Sequence, residues 1–572
     1  MSAPYFLALS LIFRLFWPRL RPGSHWLCPV LALALPFCAG GFHTATAAVL
    51  CLVLTAALLE QLSKSRLFRF CGNPASLALL AVFAAYCLSP LWAADKGMAV
   101  FAIARYLSPV LFALVLMQSG EELPGQILEL VPLSGCLMTL ASIFALFLPG
   151  LRDQVIVNGR LAGFFQYPNS FAAFLLAGLI LQSFRISKWS FPLILILMTG
   201  IVLSGSKTVF VLMLPALAAV LLIRRQKKLL LLIPGLLLAL GVGLAAQKLG
   251  LLAQADRFTQ IEATSGTFLV RLLYYRDALP AIGKHPFGIG YLGYPAIQGT
   301  LQTGRYSVTH LHNSLLQLLL DIGWLPAALL AFALLRALLS RKTAPEKRLL
   351  LFAVLAHCML DFDLQFAAFW ILLLCCLDLT GGKAIPLSHS QVPAFLAAGL
   401  TVVSLWLGSG DWLYRLGKVD ACLTVTPFHT EALAAKLAAT GDADQVEALA
   451  DKILARNPTH SLAWSAKANV ALAKGDILSM IRCKEEAIRL APYTTAEYCD
   501  YFRKLYWAME QFLQMGDRQS AAHCREKLLQ IPRMMETVSQ RTTPLAWRTG
   551  DDPSLELPPE YAVILEYLPQ AF

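Results

Sequence analysis

The run Gly97-Met-Ala-Val-Phe-Ala-Ile-Ala-Arg105-Tyr-Leu-Ser-Pro-Val-Leu-Phe-Ala-Leu-Val-Leu-Met117 carries a single charged side chain, Arg105. About 30 Å of hydrocarbon is crossed by about 20 apolar residues rising 1.5 Å each, with every backbone group satisfied inside the helix. The run meets that requirement, and comparable runs recur on both sides of it. They lie near 26–40, 45–62, 75–94, 127–148, 169–184, 190–204, 207–223, 229–247, 312–336, 348–365, 366–380 and 391–409. The expected fold is therefore all-α: a polytopic membrane helix bundle of about 12 or 13 spans, followed by a soluble helical-repeat domain.

Composition agrees. The 572 residues are 57% hydrophobic and 14% charged, with a mean hydropathy of +0.62, too apolar for a soluble enzyme of this size. Residues 5–17 read as an uncleaved amphipathic lead-in, since Arg14, Arg19 and Arg21 follow without a small-residue cleavage site. Basic residues gather on the cytoplasmic side of short loops. The clusters Lys64/Arg66/Arg69, Arg224/Arg225/Lys227/Lys228 and Arg341/Lys342/Lys347/Arg348, with Arg185, Lys188 and the N-terminal arginines, fall on one side by span count. That side is read as cytoplasmic, with the N-terminus there; Glu121 and Glu122 on the same side add no support. The segments 149–168 and 248–311 and everything after 410 are read as extracytoplasmic, and the location as the bacterial cytoplasmic membrane. The net charge of +12 reflects this bias. No basic stripe with interleaved aromatics marks a nucleic-acid partner, and the cysteines and histidines lack the spacing of a metal site or a disulfide framework.

The organisation expected is a membrane domain over 1–410 with an external loop at 248–311, a helical domain over 411–540 and an irregular, Pro-rich tail over 541–572. In the helical domain Pro458 and Pro492 close similar helices one 34-residue period apart. The unit between them contains Ala463-Trp464, Ala468, Ala471, Gly475-Asp476 and Ala487. That is the period and small-residue pattern of a tetratricopeptide hairpin, and Pro427 and Pro532 are expected to end further, degenerate units. Such a stack offers a concave surface to a protein partner. The alternative is a domain that only packs on the membrane part.

Three extracytoplasmic stretches place polar groups at span ends. In the first, Arg160-Leu-Ala-Gly163 leads to Pro168-Asn169, where Asn169 is expected to cap the next helix and the arginine to sit near its anion-attracting N-terminus. The second puts Arg271, Tyr274 and Tyr275 on one helix face, ahead of His285-Pro-Phe-Gly288-Ile-Gly290, whose glycines allow a tight turn. Arginine offers phosphate a planar fork of donors that stays charged. The third is His310-Leu-His312-Asn313-Ser314, at the start of a span continuing to Asp321-Ile-Gly323. A histidine there can take a proton from a hydroxyl, and Asn313 can cap the helix. The bland readings are interfacial arginines beside headgroups and an interfacial histidine. Polar residues in spans are costly and mark cavities: Arg105, Lys207 after Ser204-Gly-Ser206, and Asp361 with Asp363. Arg105 and Lys207 have the alternative of snorkelling to the interface.

Together, Arg160-x-x-Gly163 with Pro168-Asn169, Arg271 before His285-Pro-Phe-Gly-Ile-Gly290, His312-Asn313 with Gly323, and Asp361-Phe-Asp363 resemble the O-antigen ligase and polymerase superfamily of bacterial membrane glycosyltransferases, over roughly residues 75–380. One departure is Lys207, where many relatives carry arginine; lysine keeps the charge but loses the fork. The resemblance implies a GT-C-like bundle and inverting transfer of an oligosaccharide from a polyprenyl-pyrophosphate carrier to an acceptor hydroxyl on the outer face, with no metal or other cofactor. Arg160 and Arg271 would hold the pyrophosphate, and His312 would orient or deprotonate the acceptor. His310 or Asp361 would support it, with Asn169, Tyr275, Asn313, Lys207 and Arg105 lining the site.

The acceptor separates a ligase (lipid A core sugar), a polymerase (growing glycan) and a protein O-oligosaccharyltransferase (Ser, Thr or Tyr). From another class, a lipid-linked glycan transporter needs a midplane site between repeated halves, a symmetry the sequence lacks. A third reading is an assembly scaffold whose repeats alone do the work.

Overall fold

The computed structural model describes residues 26–65, 67–120, 122–186, 190–225, 232–252, 266–380, 384–387, 391–549 and 552–568. The N-terminal lead-in and Arg66, Glu121, Lys188, Lys227 and Lys228 lie outside the described residues. The protein is all-α and polytopic. Among the described residues six helices are long and apolar enough to cross a membrane: Thr44–Ser65, Pro74–Leu91, Lys96–Ser119, Glu122–Ala145, Lys207–Arg224 and Gln391–Arg415. Shorter apolar helices include Pro168–Phe184, Ser190–Ser204, Leu232–Lys248, Trp324–Leu339 and Ala367–Cys376.

Every residue of Pro168–Phe184 is buried. A helix apolar on all sides belongs in the middle of a bundle, and this one packs on Glu122–Ala145, Ser190–Ser204, Lys207–Arg224 and Pro345–Cys358. The last span returns to an early one: Gln391–Arg415 lies along Thr44–Ser65, with the Thr55 and Thr401 hydroxyls 2.7 Å apart. A short antiparallel ladder, Phe68–Cys71 with Ala384–Leu387, ties the segments at that end.

Two expected spans are corrected. The run 312–336 is two helices, Ser314–Ile322 and Trp324–Leu339, broken at Gly323 with φ +80°. A helix end leaves carbonyls unsatisfied. Here the turn 286–290 supplies partners, with Ile289 N–H donating to Leu320 O (2.6 Å) and Gly290 N–H to Asp321 O (3.1 Å). Trp324 N–H returns a bond to Pro286 O at 2.9 Å. Gly288, Gly290 and Gly323 all have positive φ; backbone lies against backbone, and a Cβ on Gly288 would stand 2.5 Å from Asp321 O. The second correction is 348–365, whose helix Pro345–Cys358 stops short and leaves 359–366 as a turn carrying Asp361 and Asp363.

Beyond the bundle, helices pair in antiparallel hairpins: Thr430–Ala439 with Ala443–Leu454, Ser461–Ala473 with Ile477–Leu490, and Thr495–Gln514 with Arg518–Arg541. A Gly-Asp joint recurs at 441–442, 475–476 and 516–517, the aspartate capping the second helix through the N–H of Gln445, Ser479 or Ser520. Gln391–Arg415 runs unbroken past Gly410. Pro532 lies inside Arg518–Arg541 and does not end it; Leu528, Ile531 and Met535 anchor both sides of the proline in one apolar cluster. The tail, expected irregular, contains the helix Pro559–Tyr567, whose Tyr561 ring sits 4.8 Å from Phe502.

The helical region is docked on the membrane part. Asp95, almost wholly buried, accepts from Thr430 Oγ1 (2.8 Å) and Asn457 Nδ2 (3.1 Å), and Lys96 N–H donates to Arg456 O at 3.0 Å.

Candidate functional site

Asp361 is the centre of the polar groups, at 1% exposure. The turn carrying it is pinned by Asn313 and Ser314, at the start of Ser314–Ile322. Asn313 caps that helix through the N–H groups of Leu315 and Leu316, and its Nδ2 donates to Met359 O at 2.9 Å. Ser314 Oγ donates to Asp361 O at 2.9 Å. A second buried pair, His357 Nδ1 to Asp363 Oδ2 at 2.5 Å with Ser170 Oγ on Asp363 Oδ1 at 2.7 Å, fixes the other side of the turn.

Around the carboxylate, His312 Nδ1 lies 3.0 Å from Oδ1, and Tyr167 Oη donates to Oδ1 at 2.9 Å. Asn169 Nδ2 donates to Oδ2 at 2.8 Å, and Arg271 Nη2 lies 3.4 Å from the same oxygen. Arg271 Nη1 also donates to Leu360 O at 2.5 Å. Burial alone would raise the Asp361 carboxyl, but the His312 hydrogen bond and the Arg271 charge outweigh it and hold it below the ordinary carboxylate range. Burial, with Asp361 beside it, holds the Tyr167 phenol well above its ordinary value, so that it stays a donor.

Arg160 joins through Asn169. It lies on a hairpin, Ile156–Val157 with Arg160–Leu161, joined by Asn158-Gly159, both at positive φ as a two-residue hairpin turn requires. Its Nη2 donates to Asn169 Oδ1 at 2.7 Å and its Nε to Ser204 O at 2.8 Å. The expected capping role of Asn169 is corrected: Tyr167 occupies the cap position, Pro168 is the first helical residue, and Asn169, one position further in, turns its amide to Arg160 and Asp361. Ser204 ends one helix and Lys207, half-buried, begins the next, so the arginine's hold on Ser204 brings the Lys207 turn alongside.

The helix Gly266–Lys284 presents Arg271, Tyr274 and Tyr275 together. Tyr275 Oη donates to the His312 carbonyl, and the Tyr274 and His312 rings lie 5.9 Å apart. His310 stands apart from the carboxylate, ringed by Phe42, Tyr291 and Phe362. Burial, with Arg105 and His312 near, pushes its imidazole down to about 3, so it is neutral at physiological pH. Arg105 does not snorkel: it is buried between the Phe42 and Tyr291 rings, 5.3 Å from each centroid, and donates to Phe42 O and to Gln365 O (2.7 Å). Among the described residues it has no carboxylate within ion-pair distance.

Thus the structure gathers Arg160, Asn169, Arg271, Tyr275, His312 and Asp361, with Asn313 supporting and Lys207 adjoining; it leaves His310 and Arg105 behind them. Tyr167 was not anticipated. Its one sequence signal is its place before Pro168, which confines it to extended backbone (φ −146°, ψ 111°) at a helix mouth. A cavity of about 560 Å³ opens beside the Arg160 hairpin, lined by Arg152, Asp153, Gly159 and Gln247 among others; no member of the Asp361 cluster lines it.

The assembly can accept a proton and hold an anion. His312 meets Asp361 through Nδ1 while its side chain stays 22% exposed, and a neutral imidazole held by Nδ1 offers its other ring nitrogen as a proton acceptor. No curated protein and no solved structure matches the chain. Residues 192–356 match the family described as O-Antigen ligase. The matched stretch includes Lys207, Arg271, Tyr275, His310, His312 and Asn313, whereas Arg105, Arg160, Asn169 and Asp361 lie outside it. Through that segment, and with the polytopic helical fold around it, the chain is similar to the O-antigen ligase family, a similarity that supports a ligase- or glycosyltransferase-like membrane function.

Proposed function

We propose that the protein transfers an oligosaccharide from a polyprenyl-pyrophosphate carrier to an acceptor hydroxyl at the extracytoplasmic face of the bacterial cytoplasmic membrane. The observation that carries this reading is the Asp361 carboxylate shared between His312 and Arg271, with Arg160 joined through Asn169. His312 takes the acceptor's O–H proton on its free ring nitrogen as the oxygen attacks the anomeric carbon. The bond from that carbon to the pyrophosphate oxygen breaks, its electron pair leaves with the pyrophosphate, and the configuration inverts. Arg271 and Arg160, joined by Lys207, stabilise the charge that grows on the leaving group. Asp361 orients the imidazole and balances the positive charge it acquires. Fixed arginines supply the positive charge, so no metal is required.

The helical region is read as tetratricopeptide-like hairpins on the same face, and the acceptor is read as a lipid A core sugar, the ligase case. A transporter would need the break at Gly323 to line a passage. Instead the break is filled by the backbone of Pro286–Gly290.

The test is transfer from a purified polyprenyl-pyrophosphate oligosaccharide in the presence of EDTA, comparing the wild type with Arg271→Ala and His312→Ala. Product from the wild type alone is expected. Equal product from both variants, or none with any acceptor class, would overturn the reading.

A further inference from the structure

The helix Gly266–Lys284 has two working faces. One presents Arg271, Tyr274 and Tyr275 to the His312–Asp361 pair. The other, one helical turn apart at Leu273 and Asp277, packs on the loop of Thr303 and Tyr306 and on Ala546. Asp277, 3% exposed, accepts from Thr303 N–H (2.9 Å), Thr303 Oγ1 (2.7 Å) and Tyr306 Oη (2.9 Å). Arg271 and Tyr275 do not touch this carboxylate, so the chemistry at His312 leaves it without a role.

The loop that binds Asp277 is itself held from the C-terminal region. Thr543 N–H donates to Thr303 O at 3.0 Å, and a Cβ on Gly304 would collide with Ala546 on one side and Leu273 on the other. Ala546 is buried in one apolar cluster with Leu273, Tyr274 and Ala278. A third contact lies nearby, where Gly299 approaches the Leu490 carbonyl at the end of a hairpin helix so closely that no side chain fits. Residues 543–546 follow directly on the last hairpin helix, Arg518–Arg541. The helix bearing the arginine is thus gripped between the membrane bundle and the far end of the chain.

We propose that Asp277 is a positioning residue: with Thr303 it ties the Arg271 helix to the segment Thr543–Ala546, so that the C-terminal helical region holds Arg271 in place for the lipid pyrophosphate. This rests on the pyrophosphate role of Arg271 given above. The C-terminal region is then part of the donor site's frame, whatever else it binds. Two hydrogen bonds from Thr303 and one from Tyr306 end on a single buried carboxylate, so removing its charge weakens three contacts together.

The experiment uses the full chain in nanodiscs, with Asp277→Asn, Thr303→Val and the conservative Thr303→Ser. Amide hydrogen exchange is followed in 268–280 and, as a control, in Pro168–Phe184; binding of undecaprenyl pyrophosphate is measured alongside. Asp277→Asn and Thr303→Val are expected to speed exchange in 268–280 and weaken binding, each about tenfold, the size of one lost hydrogen bond to a charged group. Thr303→Ser is expected to match the wild type, and the control helix to stay protected. Unchanged exchange in 268–280, faster exchange with unchanged binding, or equal loosening of the control helix would each overturn the proposal. A wild type that fails to bind the lipid overturns it as well. A wild type that binds the lipid but transfers no sugar refutes the transfer reading alone, and the brace is then decided by exchange and binding.

Discussion

The Asp361 carboxylate stands 3.0 Å from the Nδ1 of His312 while its other oxygen accepts from Asn169 and faces Arg271. One buried anion therefore orients an imidazole and a guanidinium that sit 41 residues apart in the chain (312 minus 271). Asp361→Asn keeps the shape but removes the charge and offers His312 an N–H as readily as an oxygen. Transfer is expected to fall by at least about 10²-fold, the usual loss when a general base is misoriented. Initial rates at saturating donor and acceptor check this, with near-wild-type rates as the contrary result.

Asn169 links Arg160 to Asp361 through both ends of one amide. Asn169→Leu leaves the guanidinium and the carboxylate each short of a partner, at about 1–3 kcal/mol. The expected outcome is a donor KM raised about tenfold or more, because Arg160 loses its fixed direction. Arg160→Lys should show a similar KM change with less effect on stability, as the charge stays and the fork is lost.

Gly288 sits at φ +79° against the backbone of Asp321. Gly288→Ala adds strain of about 1–3 kcal/mol at that φ, and more from the clash. A lower melting temperature in detergent is expected, together with weaker protection of the amides of Ser314–Ile322. Gly283, with nothing near its Cβ direction, is the control: Gly283→Ala should leave the melting temperature unchanged or higher.

His429 is fully buried where the helical region meets the bundle, its ring 4.9 Å from Phe101 and 4.8 Å from Tyr414. Its Nδ1 accepts from Ala432 N–H, which requires the unprotonated nitrogen. Burial, set against Asp411 and reinforced by Arg415, lowers the imidazole from 6.5 to about 4. A depressed folded value means that protonation favours the unfolded state. The stabilisation is complete above pH 6.5 and is lost as pH falls toward 4, at about 1.4 kcal/mol for each pH unit crossed. His460, also lowered by burial, adds with the same sign. Proteolytic release of the C-terminal region should therefore rise between pH 6.5 and 4, and His429→Gln should flatten that rise.

The legibility of the site in the sequence divides by distance along the chain. Asn313 is recognisable as a cap because its partners are two and three residues away. The Arg160 hairpin follows from Asn158-Gly159, and the shared face of Arg271 and Tyr275 follows from helical spacing. Asn169 reads as a cap because its position before an apolar run favours capping, whereas the competing partners, Arg160 and Asp361, arrive only with the packed bundle. His310 and His312 are alike as letters two positions apart. One faces rings and the other a carboxylate, and only the surroundings separate them.

By itself, the sequence determined the all-α polytopic class, the six long apolar helices and the residue types able to hold an anion and move a proton. Those properties are local: hydropathy over one span length, helical period, and turn chemistry over a few residues. The tertiary structure alone decided that Asp361 is the shared centre, that the run 312–336 breaks at Gly323, and that the end of the chain grips the Arg271 helix. Each of these depends on a hydrogen bond or a backbone contact between segments far apart in sequence. No periodicity encodes such a contact, because it exists only once apolar burial has brought the segments together.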